Sequence, residues 1–112
     1  MNINEITIGQ ASESPNNGMV GKYVLVRCRD AGVHAGVLES HAGRECVLTE
    51  SRRVWSWEPT RGKTLSAVAL SGVTKNSKVA AALPRIHLTE NCEIMQCSDA
   101  AEQSIRQIEE AA

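Results

Sequence analysis

From Lys22 onward the apolar residues fall in short runs and alternations broken by glycine, the pattern of strands and turns rather than of long helices. "KYVLVRCR" (22–29) is rich in β-branched and aromatic residues and predicts a first strand. In "DAGVHAG" (30–36) the glycines at 32 and 36 predict a turn or a bulge; "VLES" resumes the extended pattern and "HAGR" (41–44) predicts a second turn. "ECVLTESRRVWSW" (45–57) reads as a third extended segment. Its alternation puts Arg53, Trp55 and Trp57 on one face and Arg52, Val54 and Ser56 on the other.

The period then changes. Pro59 and Gly62 stop the strand, and "TLSAVALSG" (64–72) predicts a compact helix with Thr64 as N-cap, Gly72 as the terminating glycine, and Leu65, Val68 and Ala69 on its buried stripe. Residues 73–84 are polar, then small and apolar, and are expected to be a loop closing on Pro84. "RIHLTENCEIMQC" (85–97) predicts one long strand or two short ones, with Ile86 and Leu88 sharing a face before a polar break at Glu90 and Asn91. A final helix begins at Asp99, which with Glu102 forms a capping-box pattern. Ala101, Ile105 and Ile108 make its apolar stripe, and Arg106 projects from another side. Residues 1–19, with a short alternation at Ile3, Ile6 and Ile8 followed by Ser, Asn, Pro and Gly, are expected to be a flexible leader ahead of a single domain at 20–112. The expected class is α+β: a small antiparallel meander with a short middle helix and a C-terminal helix.

Composition narrows the partners. A formal charge of −1 and a pI near 6.3 supply no general attraction to duplex nucleic acid, so any anion site must be local. With 112 residues and 3% aromatics, a core built from Val, Ala, Leu and Ile would be marginal alone, and oligomerisation would help. The cysteines at 28, 46, 92 and 97 have no metal-site spacing, which argues against zinc. No signal peptide or long apolar run is evident, and the expected setting is a reducing cytoplasm where strand thiols act as small apolar groups.

Catalytic motifs are missing from the sequence: the histidines at 34, 41 and 87 are scattered, and there is no Gly-x-Ser-x-Gly, His-Glu-x-x-His or Walker glycine loop. A non-enzymatic protein without cofactor or metal is expected. Binding has better candidates. Both tryptophans of a chain with no Phe sit next to Arg52 and Arg53; indole stacks a base and guanidinium forks hold phosphate. The same residues equally suit a strand that fills a core with indole and covers it with arginine stems. His34 lies between two glycines, where backbone can approach a partner or simply form a bulged hairpin, and "TKNSK" (74–78) is either a phosphate-contacting lid or a solvated loop.

In their order along the chain, "YVLVR", "AGVHAGVLES", "SRRVWSW", "LSAVALSG", "IHLTENCEI" and "CSDAAEQSI" resemble the phage-encoded Thoeris anti-defence sponge proteins of the first-described type, over about residues 22 to 108. That resemblance implies a non-catalytic protein that sequesters glycocyclic ADP-ribose signals made by bacterial TIR-domain proteins. It implies symmetric assembly as dimers, up to hexamers, with ligand at dimer interfaces, and in some members cyclic trinucleotides at a separate site. It implies ligand-binding roles for His34, Arg52, Arg53, Trp55, Trp57 and Arg106, with Thr89 nearby on the preceding strand. An aromatic that stacks the base in relatives is missing from residues 74–84, a place Trp55 or Trp57 would have to fill. The competing class is a small protein-interaction or single-strand nucleic-acid module that uses the same strand face.

Overall fold

The structure is a computed structural model that describes residues 17–58, 60, 62 and 64–111; the leader at 1–16 and the expected strand stop at Pro59 lie outside the described residues. The elements are β1 (Tyr23–Cys28), β2 (Val33–Ala42), β3 (Glu45–Ser56), α1 (Leu65–Ser71), β4 (Lys78–Val79), β5 (Leu83–Leu88), β6 (Asn91–Gln96) and α2 (Asp99–Gln107). The class is α+β, a six-stranded antiparallel sheet with two helices. Just before β1, a single 3₁₀ turn at Asn17–Met19 tucks Met19 against the sheet interior, so the last residues of the expected leader are part of the fold.

β1, β2 and β3 form the expected meander, and β4 and β5 share the far edge of β3, while β6 pairs with β1 on the opposite side. Only Thr89 and Glu90 join β5 to β6. Two residues reach at most about 11 Å, whereas the edges of a flat sheet of five adjacent strands lie about 19 Å apart. The sheet must therefore curl until its edges meet at this corner. Backbone bonds from Arg29 N to Glu90 O and from Asn91 N to Arg44 O, both 2.9 Å, fasten it there.

Curling divides the apolar residues in two. The concave side encloses Val24, Val26, Cys28, Leu38, Cys46, Leu48 and Leu88. The convex side, with Tyr23, Leu25, Val33, Ala35 and Val54, is covered by Val68 and Ala69 of α1 and by Ala101 and Ile105 of α2. Burial on both faces explains why "YVLV" is a continuous apolar run rather than an alternation. The helices meet closely at Gly72, whose φ is 89° and whose position a Cβ would force into Ser104 and Ala101.

Two local expectations need correction, at residues 73–84 and at the start of α2. Residues 73–84 are not all loop: β3 has an unfilled edge beyond Ser51, and Lys78–Val79 pairs there with Ser56 and Val54. Of the two forms expected for 85–97, the pair of short strands is found, and both pair elsewhere rather than with each other. The expected turn and bulge at the two glycines are both found: Gly32 O accepts from Cys28 N at 2.8 Å in the turn, the ladder shifts register at Gly36, and His34 belongs to the strand between them. The cap of α2 is Ser98, whose hydroxyl accepts from Ala101 N, not Asp99; Glu102 then falls outside the capping-box position and bonds Arg106 instead. At α1 the expected cap holds: Thr64 accepts from Ala67 N at 3.2 Å and Gly72 N donates to Val68 O at 2.7 Å.

Candidate functional site

The seven residues singled out in the sequence fall into three places. Arg53 and Trp55 are exposed, with Trp55 55% accessible, and His34 lies directly across the ladder from Arg53. Trp57 does not join Trp55: the pairing slips between Val54 and Ser56, the two-residue alternation breaks, and Trp57 packs against the convex core. His34 is almost fully buried, and its Nε2 lies 2.9 Å from Ala31 O. Nε2 must donate to that carbonyl, which leaves Nδ1 as a buried acceptor without a partner. Burial lowers the His34 pKa, with the Arg53 charge acting in the same direction, so the ring is neutral at pH 7.

Thr89 stands apart. It is exposed at the corner between β5 and β6, beside the C-terminal end of β1, whereas α2 starts at the other end of β1, where Cys97 N bonds Tyr23 O. Within one chain the fold separates Thr89 from Arg106.

Arg52 and Arg106 do come together, in different roles. Arg52 is buried, and its guanidinium donates from Nε to Ala80 O and from Nη1 to Ile105 O, both at 2.7 Å. Longer contacts of 3.5 Å reach Val79 O and Arg106 O. Its partners are main-chain carbonyls of the last turn of α2 and of the strand beside it, where the helix dipole favours a cation. This is a pin that holds α2 and the β4 segment to β3, not an open phosphate fork.

Arg106 is the exposed member. Its guanidinium carbon lies 4.7 Å from the centre of the Tyr23 ring, within cation–π range. Nη1 donates to Glu50 at 2.6 Å and Nε to Glu102 at 2.8 Å, one turn back on the helix. The Glu50 bond leads the causes that raise the Arg106 pKa, so the cation is permanent. Tyr23, Glu50, Arg52 and Arg106 line a cavity of about 330 Å³ together with Ala81, Ala82, Ile108 and Glu110, near the lower end for small-molecule sites. Ala111 N donates to Val79 O at 2.9 Å and fastens to β4 the tail, whose Ile108 and Glu110 form one wall.

Tyr23 gives this cavity its polar depth. The residue is 5% exposed and its hydroxyl has no hydrogen-bond partner. Burial pushes its pKa up to about 12 against the opposing pull of Arg106, so the phenol stays a proton donor. A hidden donor beside a fixed cation suits an oxygen-rich anion. A larger depression of about 610 Å³ on the other side of the tail, bordered by Lys75, Lys78 and Gln107, has no unpartnered buried polar group among the described residues. Among the described residues no group of three His, Cys, Asp or Glu is placed to hold a metal ion, and no helix is long and apolar enough to cross a membrane.

A family model described as a domain of unknown function, DUF6948, matches residues 21–105. The chain belongs to the DUF6948 family. No curated protein and no solved structure matches it. The matched region of DUF6948 takes in Tyr23, Glu50 and Arg52 and ends one residue before Arg106.

Tyr23 and Glu50 were not legible as site residues. Tyr23 reads as an ordinary strand aromatic, and Glu50 is one of 13 acidic residues in the sequence. The contacts that give them meaning join positions 56 residues apart, as in the Glu50–Arg106 pair.

Proposed function

We propose that this protein is a cytoplasmic, non-enzymatic sponge that binds and sequesters cyclic ADP-ribose-type messengers, glycocyclic ADP-ribose above all, without degrading them. The observation that carries the proposal is the Tyr23–Arg106 stack at the wall of a cavity, where a permanent cation lies beside a buried phenol that has no hydrogen-bond partner. The pyrophosphate takes the guanidinium and the phenol, and Arg52 acts behind them by fixing the last turn of α2.

The cavity of one chain is open and small for a whole ADP-ribose ring. Association as an isologous dimer, or as a hexamer built from such dimers, would enclose it and provide base-stacking surface from a second copy. Exclusion of water strengthens each charge-assisted bond, and slow release is what lets a binder lower a signal without chemistry. Cyclic trinucleotides would take a separate site, for which exposed Arg53 and Trp55 beside His34 are the candidates.

The exposed Trp55 next to Arg53 also favours a second reading, a single-strand nucleic-acid or protein-interaction module. Titration calorimetry separates the two. A sponge binds glycocyclic ADP-ribose with a Kd below about 1 μM, roughly −8 kcal/mol, and with little salt dependence. No heat with that ligand, together with binding of linear oligonucleotides that falls steeply with salt, would replace the proposal by the second reading.

A further inference from the structure

Glu50 has a backbone that its own chemistry does not favour. Its φ is 52°, and it is the one non-glycine residue at positive φ among the described residues. For a residue with a Cβ the left-handed region costs about 1 to 2 kcal/mol. The cause is a bulge: pairing runs from Val37 with Thr49 to Ala35 with Arg52, so Glu50 and Ser51 together oppose Gly36. Gly36 permits it, since a Cβ there would lie 2.8 Å from Thr49 O. The outcome is a carboxylate delivered to Arg106 Nη1 at 2.6 Å.

Stability does not account for this arrangement. The two side chains are 39% and 56% exposed, and an exposed ion pair contributes about 0 to 1 kcal/mol, no more than the backbone costs. The carboxylate does, however, take one of the N–H donors of the guanidinium that lines the cavity from α2, while Glu102 takes Nε. An anion that approaches Arg106 must displace this carboxylate or bind against its charge.

We propose that Glu50 sets a charge threshold on this site: a tethered carboxylate that keeps single phosphoryl groups off Arg106 and yields to a pyrophosphate. The inference rests on the reading of the Tyr23–Arg106 cavity as an anion site. A monophosphate is repelled by Glu50 and competes with it for Nη1 at a disadvantage, because the carboxylate is intramolecular. A pyrophosphate has a second phosphoryl group, for which the unpartnered Tyr23 hydroxyl, reached once the ring swings from its buried position, is a donor that Glu50 does not use.

Inorganic pyrophosphate and inorganic phosphate, titrated into the wild-type protein, Glu50→Gln and Arg106→Ala, test this. Glu50→Gln is expected to bind pyrophosphate about fivefold more tightly and monophosphate about tenfold or more, which narrows the ratio between them. Glu50→Gly removes the carboxylate and the backbone strain together and is expected to give the same gain, which covers any folding defect of the glutamine variant. If wild type binds pyrophosphate, Arg106→Ala does not, and both Glu50 variants bind no better and discriminate as before, the threshold is overturned while the site stands. If wild type fails to bind pyrophosphate, or Arg106→Ala binds it equally well, the site reading fails and the threshold with it.

Discussion

Arg52→Leu lowers the stability of this protein by about 3 kcal/mol. The estimate follows from what the guanidinium leaves behind: the Ala80 and Ile105 carbonyls each lose a 2.7 Å charge-assisted donor, and an unsatisfied buried polar group costs about 1 to 3 kcal/mol. Part of that is returned because a buried cation no longer needs to be desolvated. Arg52→Lys restores the charge but not the fork, since a single ammonium cannot reach carbonyls on α2 and on the β4 segment from the same position. It is expected to fall between wild type and leucine. Urea unfolding followed by circular dichroism measures both, and a leucine variant with the wild-type midpoint would show that Arg52 is not the pin described here. Ligand affinity should fall in the same variants even where they remain folded, because the last turn of α2 that carries Arg106 loses its anchor.

Arg106→Ala has the opposite profile. It is expected to weaken binding of glycocyclic ADP-ribose about a hundredfold, near 3 kcal/mol, through loss of the guanidinium that meets the pyrophosphate. Stability should change by less than about 1 kcal/mol, because its ion pairs to Glu50 and Glu102 are partly exposed. Trp55→Ala provides the contrast: Trp55 lies outside the residues that line the Tyr23–Arg106 cavity, and the variant should keep its affinity unless a second copy brings Trp55 to the ligand. Calorimetry on the two variants, with thermal midpoints as the control for folding, distinguishes these outcomes. Full affinity in Arg106→Ala would remove the assignment.

What the chain reveals about itself is largely what its neighbours in sequence decide. The strand at Tyr23–Cys28 and the Thr64-to-Gly72 helix are carried by local propensity and by capping atoms three or four residues away, and both were readable. Lys78–Val79 was not, because two residues become a strand only when a longer one offers an open edge. Nor was the parting of Trp55 from Trp57, since alternation assumes an unbroken ladder and this one slips between Val54 and Ser56. The same limit applies to the site. Only the resemblance marked Arg106 as a candidate, and the burial of Arg52 against carbonyls of two other elements depends on how β3, β4 and α2 converge. The curl that carries Thr89 to a distant corner is a property of topology, visible only once β5 and β6 are assigned to opposite edges.

The central claim is that the protein holds a cyclic pyrophosphate-bearing messenger and does nothing else to it. The most direct measurement mixes purified protein with glycocyclic ADP-ribose, removes free ligand by filtration, denatures the retained fraction by heat, and identifies the released compound by chromatography. The account predicts that the ligand stays with the protein and is recovered unaltered. Ligand that passes the filter, or a converted product in the released fraction, would contradict it.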